Sequence, residues 1–184
     1  TYLSNVAEET NRAIDASKNV LLEGTQGLSL SFFYGTYPYV TGRDTSASAV
    51  CSEAGVGPTK IDDVLVVFKS FMTRVGTGPL PGELTKEEAM KRGWFETAAG
   101  TGRDRRSAPF NFELAKKAVT INGATQAAVT KLDVLYPESK GTKSFDELPG
   151  EAKKFIRNVE KQAGVPVVLI GTGQEAMDII DRRK

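Results

Sequence analysis

The chain of 184 residues has no histidine and a single cysteine, Cys51. Without histidine it has no imidazole base, no Ser-His-Asp triad and none of the commonest zinc ligand sets. A lone cysteine excludes an internal disulfide and fits a reducing compartment, so the expected location is the cytoplasm. Long apolar runs are also missing. The two longest, around Val64 to Phe68 and Val165 to Ile170, are far shorter than a bilayer span, and no signal-peptide pattern opens the chain. Formal net charge is +1, which leaves no overall field to draw in nucleic acid or an anionic membrane, so any basic site must be local. There is no repeat, no low-complexity tract and no GxxxxGK(S/T) phosphate loop.

The composition is otherwise that of a soluble globular protein, long enough for one domain or one lobe of a larger one. A chain of this size can bury about 70% of its unfolded surface. It begins at Thr1, which is read as loss of an initiator or as a start inside something longer.

The densest chemistry lies in residues 98–109, AAGTGRDRRSAP. Arg103, Arg105 and Arg106 fall within four residues behind Gly-Thr-Gly, with no hydrophobic residue between Gly100 and Ser107. If the segment is extended, Thr101, Arg103 and Arg105 share one face, and Asp104 and Arg106 the other. Two guanidinium forks and a hydroxyl then converge on a dicarboxylic acid or a phosphoester, which arginine matches bidentately. Gly100 and Gly102 let the backbone approach such a ligand closely. A solvated basic turn is the alternative reading of the same residues.

Along the chain, residues 2–17 place Leu3, Val6, Ala7, Thr10, Ala13 and Ile14 at helical spacing, predicting an amphipathic helix that packs on the core. VLLEG at 20–24 reads as a buried parallel strand ending at EGTQG, where Gln26 carries a donor and an acceptor able to read a purine edge. Pro38 and its flanking glycines make the aromatic stretch 31–44 a loop. Asp44, Thr45 or Ser46 can cap a small-residue helix that Gly55 ends.

Residues 62–75 read as a second buried strand, followed by a Gly/Pro loop and a short helix with a Thr85–Glu88 capping box. Helical spacing returns at Phe112, Ala115, Val119 and Ile121, and again at Phe155, Ile156, Val159 and Ala163. Between these helices AAVTKLDVL is a third strand. In an extended strand end, Asp133 could accept paired hydrogen bonds from guanine N1–H and its exocyclic amine while the Lys131 stem covers the ring. Residues 165–180 predict strand, glycine turn and helix. Gly171-Thr172-Gly173 mimics a dinucleotide fingerprint but lacks the acidic residue about 20 positions on, so the turn is read as backbone amides offered to a ligand.

EGTQG with GTYPYVT, then TRVGTGPLPGEL, GTGRDRR, TKLDVL and GVPVVLIGTG resemble adenylosuccinate synthetase in order and spacing, from about Val20 to Asp181. The short linker after Leu135 resembles the compact form of that family. The resemblance implies an α/β fold, a mostly parallel sheet flanked by helices, nucleoside-triphosphate-hydrolase-like, with residues 1–184 as the carboxyl-terminal portion of a larger domain. It implies a GTP-dependent ligase that joins IMP and L-aspartate to give adenylosuccinate, GDP and phosphate. Gln26, Thr41 and Arg103 would then bind IMP. Ala99, Gly100, Thr101, Gly102, Arg103, Asp104 and Arg105 would form the aspartate loop. Arg105, Lys131, Leu132, Asp133, Gly171, Thr172 and Gly173 would bind GTP. Gly100 and Gly171 stand where many members have threonine and serine.

The family's phosphate loop, catalytic Asp and His, and Mg2+ ligands have no counterpart in this sequence and are expected N-terminal to it, in a homodimer when intact. The chain alone is therefore expected to be inactive. Two other readings remain: a non-catalytic guanine-nucleotide or IMP-binding module, and RNA binding through Arg103 to Arg106 with the Arg182-Arg183-Lys184 tail. Neutral net charge disfavours the last. No nucleic-acid or membrane partner is expected.

Overall fold

A computed structural model describes residues 3–183. Tyr2, the first residue of the amphipathic pattern, and Lys184, the last of the basic tail, lie outside the described residues, as does Thr1. The chain divides into two units: Thr1–Val64 with Ile121–Gly123, and Leu65–Thr120 with Ala124–Lys184.

The first unit is helix and loop. Helix α1 (Val6–Asp15) starts at Asn5, whose side chain accepts from the Glu8 amide at 3.3 Å. Glu8 and Glu9 suit the positive end of the helix dipole. The amphipathic pattern predicts a core helix, yet no residue of α1 is buried, and Val6 is 62% exposed. Its close approach within this unit is to Gly55, where an added Cβ would fall 2.4 Å from that of Ala7. Asn11 fixes that contact by donating to the Gly55 carbonyl at 2.9 Å.

Helix α2 (Ala47–Ala54) is capped by Ser46 and ends at Gly55 with φ 68°, as its sequence predicts. The expected strand at residues 20–24 is absent: the segment has no regular structure and Leu21 is 88% exposed. No strand occurs among the described residues of this unit, so the run has no ladder to join there. The aromatic stretch is a loop, as predicted. It is pinned where Asp44 accepts from Ser31 Oγ at 2.7 Å and Ser46 Oγ at 2.6 Å.

The second unit holds two sheets. Its elements are β1 (Leu65–Lys69), β2 (Phe71–Val75), α3 (Lys86–Lys91), β3 (Glu96–Thr97), β4 (Asp104–Pro109) and α4 (Phe112–Asn122), the last helix ending in the first unit's residues. β5 (Gln126–Thr130), α5 (Leu132–Leu135), α6 (Gly150–Ala163), β6 (Val167–Gly171) and β7 (Ile179–Asp181) follow. Four strands form a sheet in the order β1-β5-β6-β7, parallel except for the last pair, and β2-β4-β3 form a separate antiparallel sheet.

Residues 62–75 are thus two strands in two sheets and not one. Polar Lys69 and Ser70 interrupt the apolar run, and Ser70 is buried with its hydroxyl on the Lys131 carbonyl at 2.7 Å. The parallel sheet's core is Ala127 and Val129 of β5 and Val167 and Ile170 of β6, covered by Ala152, Ile156 and Val159 of α6. α3 carries the predicted capping box.

The helix predicted after Gly171-Thr172-Gly173 is not formed. The chain turns at residues 174–178 and returns as β7, because Ile179 and Ile180 pair with the edge of β6 and the Gly173 position is filled by Asp178. At the other edge, β1 leaves Leu65 and Val67 exposed. Among the described residues no helix is long and apolar enough to cross a membrane.

Candidate functional site

In open α/β sheets ligands collect beyond the carboxyl ends of the parallel strands, and in the second unit those ends are Lys69, Thr130 and Gly171. Lys69 and Thr130 are register partners, so Lys131 emerges beside Lys69. Lys131 does not continue the strand as expected. It takes φ 60°, in the left-handed region, and the chain enters α5 directly. Leu132 is fully buried in the core, so its side chain packs the sheet and does not flank a ligand. Asp133 stands in the first turn of α5, partly exposed, with no hydrogen bond or ion pair to any described residue. Its two carboxylate oxygens keep their acceptor capacity.

The arginine segment is a hairpin rather than an extended run. The Thr101 and Gly102 amides both donate to the Ala98 carbonyl, at 3.2 and 2.8 Å, and Gly102 has φ 64°. Ala99, Gly100 and Thr101 lie at the exposed tip, so Thr101 does not line up with Arg103 and Arg105. Alternation begins with β4, and there it sorts the charges.

Asp104 pairs with Lys86 at 2.7 Å. Arg106 grips Glu83 at 2.7 Å and the carbonyls of Gly76 and Gly78 at 2.7 and 2.9 Å, which fixes the Gly/Pro loop. That face of the hairpin is spent on structure. Arg103 is exposed, and its guanidinium makes no hydrogen bond or ion pair with a described residue. Arg105 turns toward Glu96, its register partner in β3, with Nε 3.9 Å from the carboxylate.

Glu96 was not singled out by sequence reasoning. Its side chain is 17% exposed and accepts from Lys131 at 2.6 Å and from Lys69 at 2.8 Å. Burial disfavours its ionised form, but the bonds from Lys131 and Lys69 outweigh that and hold the carboxyl below its ordinary value. Lys69 is lowered as well: burial disfavours its charged form, with Lys131 and Arg105 adding repulsion, against the pull of Glu96. The signal available in the sequence was the glycine-rich hairpin itself, which sets Glu96 opposite Arg105.

Gly171-Thr172-Gly173 closes this edge. Thr172 is fully buried, its amide donates to the Asp178 carbonyl at 2.8 Å and its hydroxyl to the Thr142 carbonyl at 2.9 Å. Its amide is therefore not offered to a ligand, contrary to the expectation. A Cβ at Gly171 would sit 3.4 Å from Thr130 Cα, an ordinary contact, and one at Gly100 would meet nothing within 4 Å. Serine and threonine would both fit at these positions.

In the first unit, Gln26 has φ 67° and donates through Nε2 to Thr41 Oγ1 at 3.1 Å. These two purine-side candidates are brought together. Arg103, the third IMP-reading candidate, belongs to the other unit. Arg182 is paired with Glu160 at 2.7 Å and Arg183 with Asp181 at 2.5 Å, while Arg106 is engaged by Glu83. Among the described residues no three Cys, Asp or Glu side chains converge to hold a metal ion.

Residues 1–139 match the family model for adenylosuccinate synthetase. The chain belongs to the adenylosuccinate synthetase family. It is 55% identical over 183 residues to the adenylosuccinate synthetase of Thermococcus sibiricus and 52% identical over 183 residues to that of Archaeoglobus fulgidus, covering all of this chain and 54% of each relative. The chain thus spans about half the length of the curated relatives it matches. A solved adenylosuccinate synthetase from Plasmodium falciparum, described as fully ligated, superposes with TM-score 0.91 at 27% identity, over 98% of this chain and 54% of that one. The fold is the α/β, nucleoside-triphosphate-hydrolase-like architecture of that structure, a mostly parallel sheet flanked by helices.

Proposed function

We propose that this chain is the carboxyl-terminal portion of an adenylosuccinate synthetase, carrying the residues that recognise IMP, L-aspartate and GTP. The whole enzyme would be a cytoplasmic homodimer that phosphorylates the purine 6-oxygen of IMP from GTP. The aspartate amine then displaces phosphate, giving adenylosuccinate, GDP and phosphate. The observation that carries the reading is the grouping at one end of the parallel sheet. The hairpin bearing Arg103 and Arg105 meets, through Glu96, the lysine that stands two residues before the unbonded Asp133.

In this reading Arg103 and Arg105 clamp the aspartate carboxylates by charge-assisted bonds, with Ala99, Gly100, Thr101, Gly102 and Asp104 shaping the loop. Asp133 accepts from guanine N1–H and the 2-amino group, and adenine offers no such donor pair. The Lys131 stem, Gly171 and Gly173 border the base, while Leu132 and Thr172 hold that border from the core. Gln26 reads the hypoxanthine edge and Thr41 the 5′-phosphate of IMP. The phosphate loop, the catalytic Asp and His and the Mg2+ ligands lie outside this chain. Binding and orientation are its share of the catalysis, since phosphoryl transfer needs positioned cations that these residues do not supply.

The test is adenylosuccinate formation from IMP, L-aspartate and GTP, followed alongside nucleotide binding. The 184-residue chain is expected to bind GDP but to form no product. Product formation by the chain alone would overturn the division of labour, and failure to bind guanine nucleotide would overturn the reading.

A further inference from the structure

Three cations face one carboxylate at the edge of the second unit. Lys131 Nζ lies 2.6 Å from Glu96 Oε1, Lys69 Nζ lies 2.8 Å from Oε2, and Arg105 Nε lies 3.9 Å from the same Oε2. Lys69 is held further by its bond to Thr73 Oγ1 at 2.8 Å, across the junction of the two sheets. The charges come from four elements: Lys69 from β1, Glu96 from β3, Arg105 from β4 and Lys131 from the residue after β5. Three positive charges against one negative leave a surplus of two in a partly buried cluster, beside the exposed Arg103. Such a surplus favours the arrival of an anion.

We infer that Glu96 is a positioning residue, fixing Arg105 and Lys131 relative to each other so that the L-aspartate and guanine readers form one preorganised site. The inference rests on the proposed roles of Arg105 and Lys131. Glu96 touches neither substrate in this account. It acts by holding the Lys131 ammonium at 2.6 Å and by drawing Arg105 toward the same carboxylate. Without its charge the three cations repel, and both readers lose their set positions together.

The test compares the 184-residue chain with its Glu96→Gln, Lys131→Met, Lys154→Met and doubly substituted Glu96→Gln/Lys131→Met forms. GDP and L-aspartate affinities are measured by calorimetry and folding by thermal midpoint. Glu96→Gln is expected to weaken both ligands about tenfold, as loss of a charge-assisted bond would. The GDP effect is expected to shrink in the Lys131→Met background, because both changes remove the same coupling. Lys154→Met, which breaks only the exposed pair with Glu151 on α6, should leave both affinities unchanged.

Loss of one ligand only, loss of neither, or strict additivity in the double variant would overturn the inference while leaving the function standing. Failure of the unsubstituted chain to bind GDP would remove the functional reading and the inference with it. If Glu96→Gln does not fold, Lys69→Met decides the matter. It removes one anchor of Glu96, along with the bond to Thr73, without altering either proposed reader; it is expected to weaken both ligands, and unchanged affinities would overturn the inference.

Discussion

Asp133→Asn separates a ligand-reading carboxylate from a structural one. Asp133 bonds to no described residue, so the substitution breaks nothing within the fold. A partly exposed position of this kind changes stability by no more than about 0.5 kcal/mol, and the lost charge at the start of α5 falls within that. Bound guanine is another matter. Asparagine keeps one acceptor but sets an NH2 donor against a guanine donor, so one charge-assisted bond is lost and the other becomes neutral. At about 1.5–3 kcal/mol for a bond to a charged group, the cost is about 3 kcal/mol, or roughly a hundredfold in affinity.

Xanthine replaces the 2-amino donor with a carbonyl, and the asparagine amide is complementary to that edge. The assay is calorimetric titration of the chain and its Asp133→Asn variant with GDP and with xanthosine diphosphate, with thermal melting alongside. The expected result is a weakened GDP isotherm, a gain for xanthosine diphosphate and an unchanged midpoint. Unchanged GDP affinity, or a midpoint lowered by several degrees, would refute the assignment.

Other outcomes follow from the same structure. Ile156→Ala empties a fully buried site between α6 and the parallel sheet and should cost about 2–5 kcal/mol, read by denaturant unfolding. At Gly173 a Cβ would fall 2.3 Å from Asp178 Oδ2, so Gly173→Ala should lower stability by about 1–3 kcal/mol. Gly171→Ser should be neutral within about 0.5 kcal/mol, both by thermal melting.

The carboxyls of Glu96 and Asp44 are held below their ordinary values of 4.5 and 3.8. A carboxyl with a depressed folded value stabilises fully above its unfolded value and loses that contribution as pH falls through the folded one. The thermal midpoint should therefore fall as pH drops below about 4.5, with a shallower fall in Glu96→Gln; an identical acid limb in that variant would contradict the assignment.

Much of this was legible in the sequence because it depended on local signals. The Thr85–Glu88 capping box, the Ser46 cap, the Gly55 stop and the inward face of α6 all rest on neighbouring residues, and all are present. The failures share a cause in pairing. Residues 20–24 have strand composition but no ladder in their unit, and residues 62–75 have one apolar pattern shared between two sheets. Ile179 and Ile180 were read as helix because the glycine turn resembled a fingerprint, whereas the free edge of β6 claimed them as a strand.

At the site, Arg103, Arg105 and Asp133 were visible as chemistry without an evident packing purpose. Arg106 looked equivalent to its neighbours, and only the hairpin register shows it turned to Glu83 and the Gly76 and Gly78 carbonyls. Glu96 carried no motif, and its importance arises entirely from the three cations the fold gathers around it.

The central claim is that one edge of the second unit reads guanine and aspartate. Amide spectra of the 15N-labelled chain, titrated first with GDP and then with L-aspartate, test it most directly. The account predicts that GDP shifts the amides of Lys131 to Asp133 and Gly171 to Gly173, that aspartate shifts Ala99 to Arg105, and that ADP shifts neither set. Equal shifts with ADP, or GDP shifts that fall outside this edge, would contradict it.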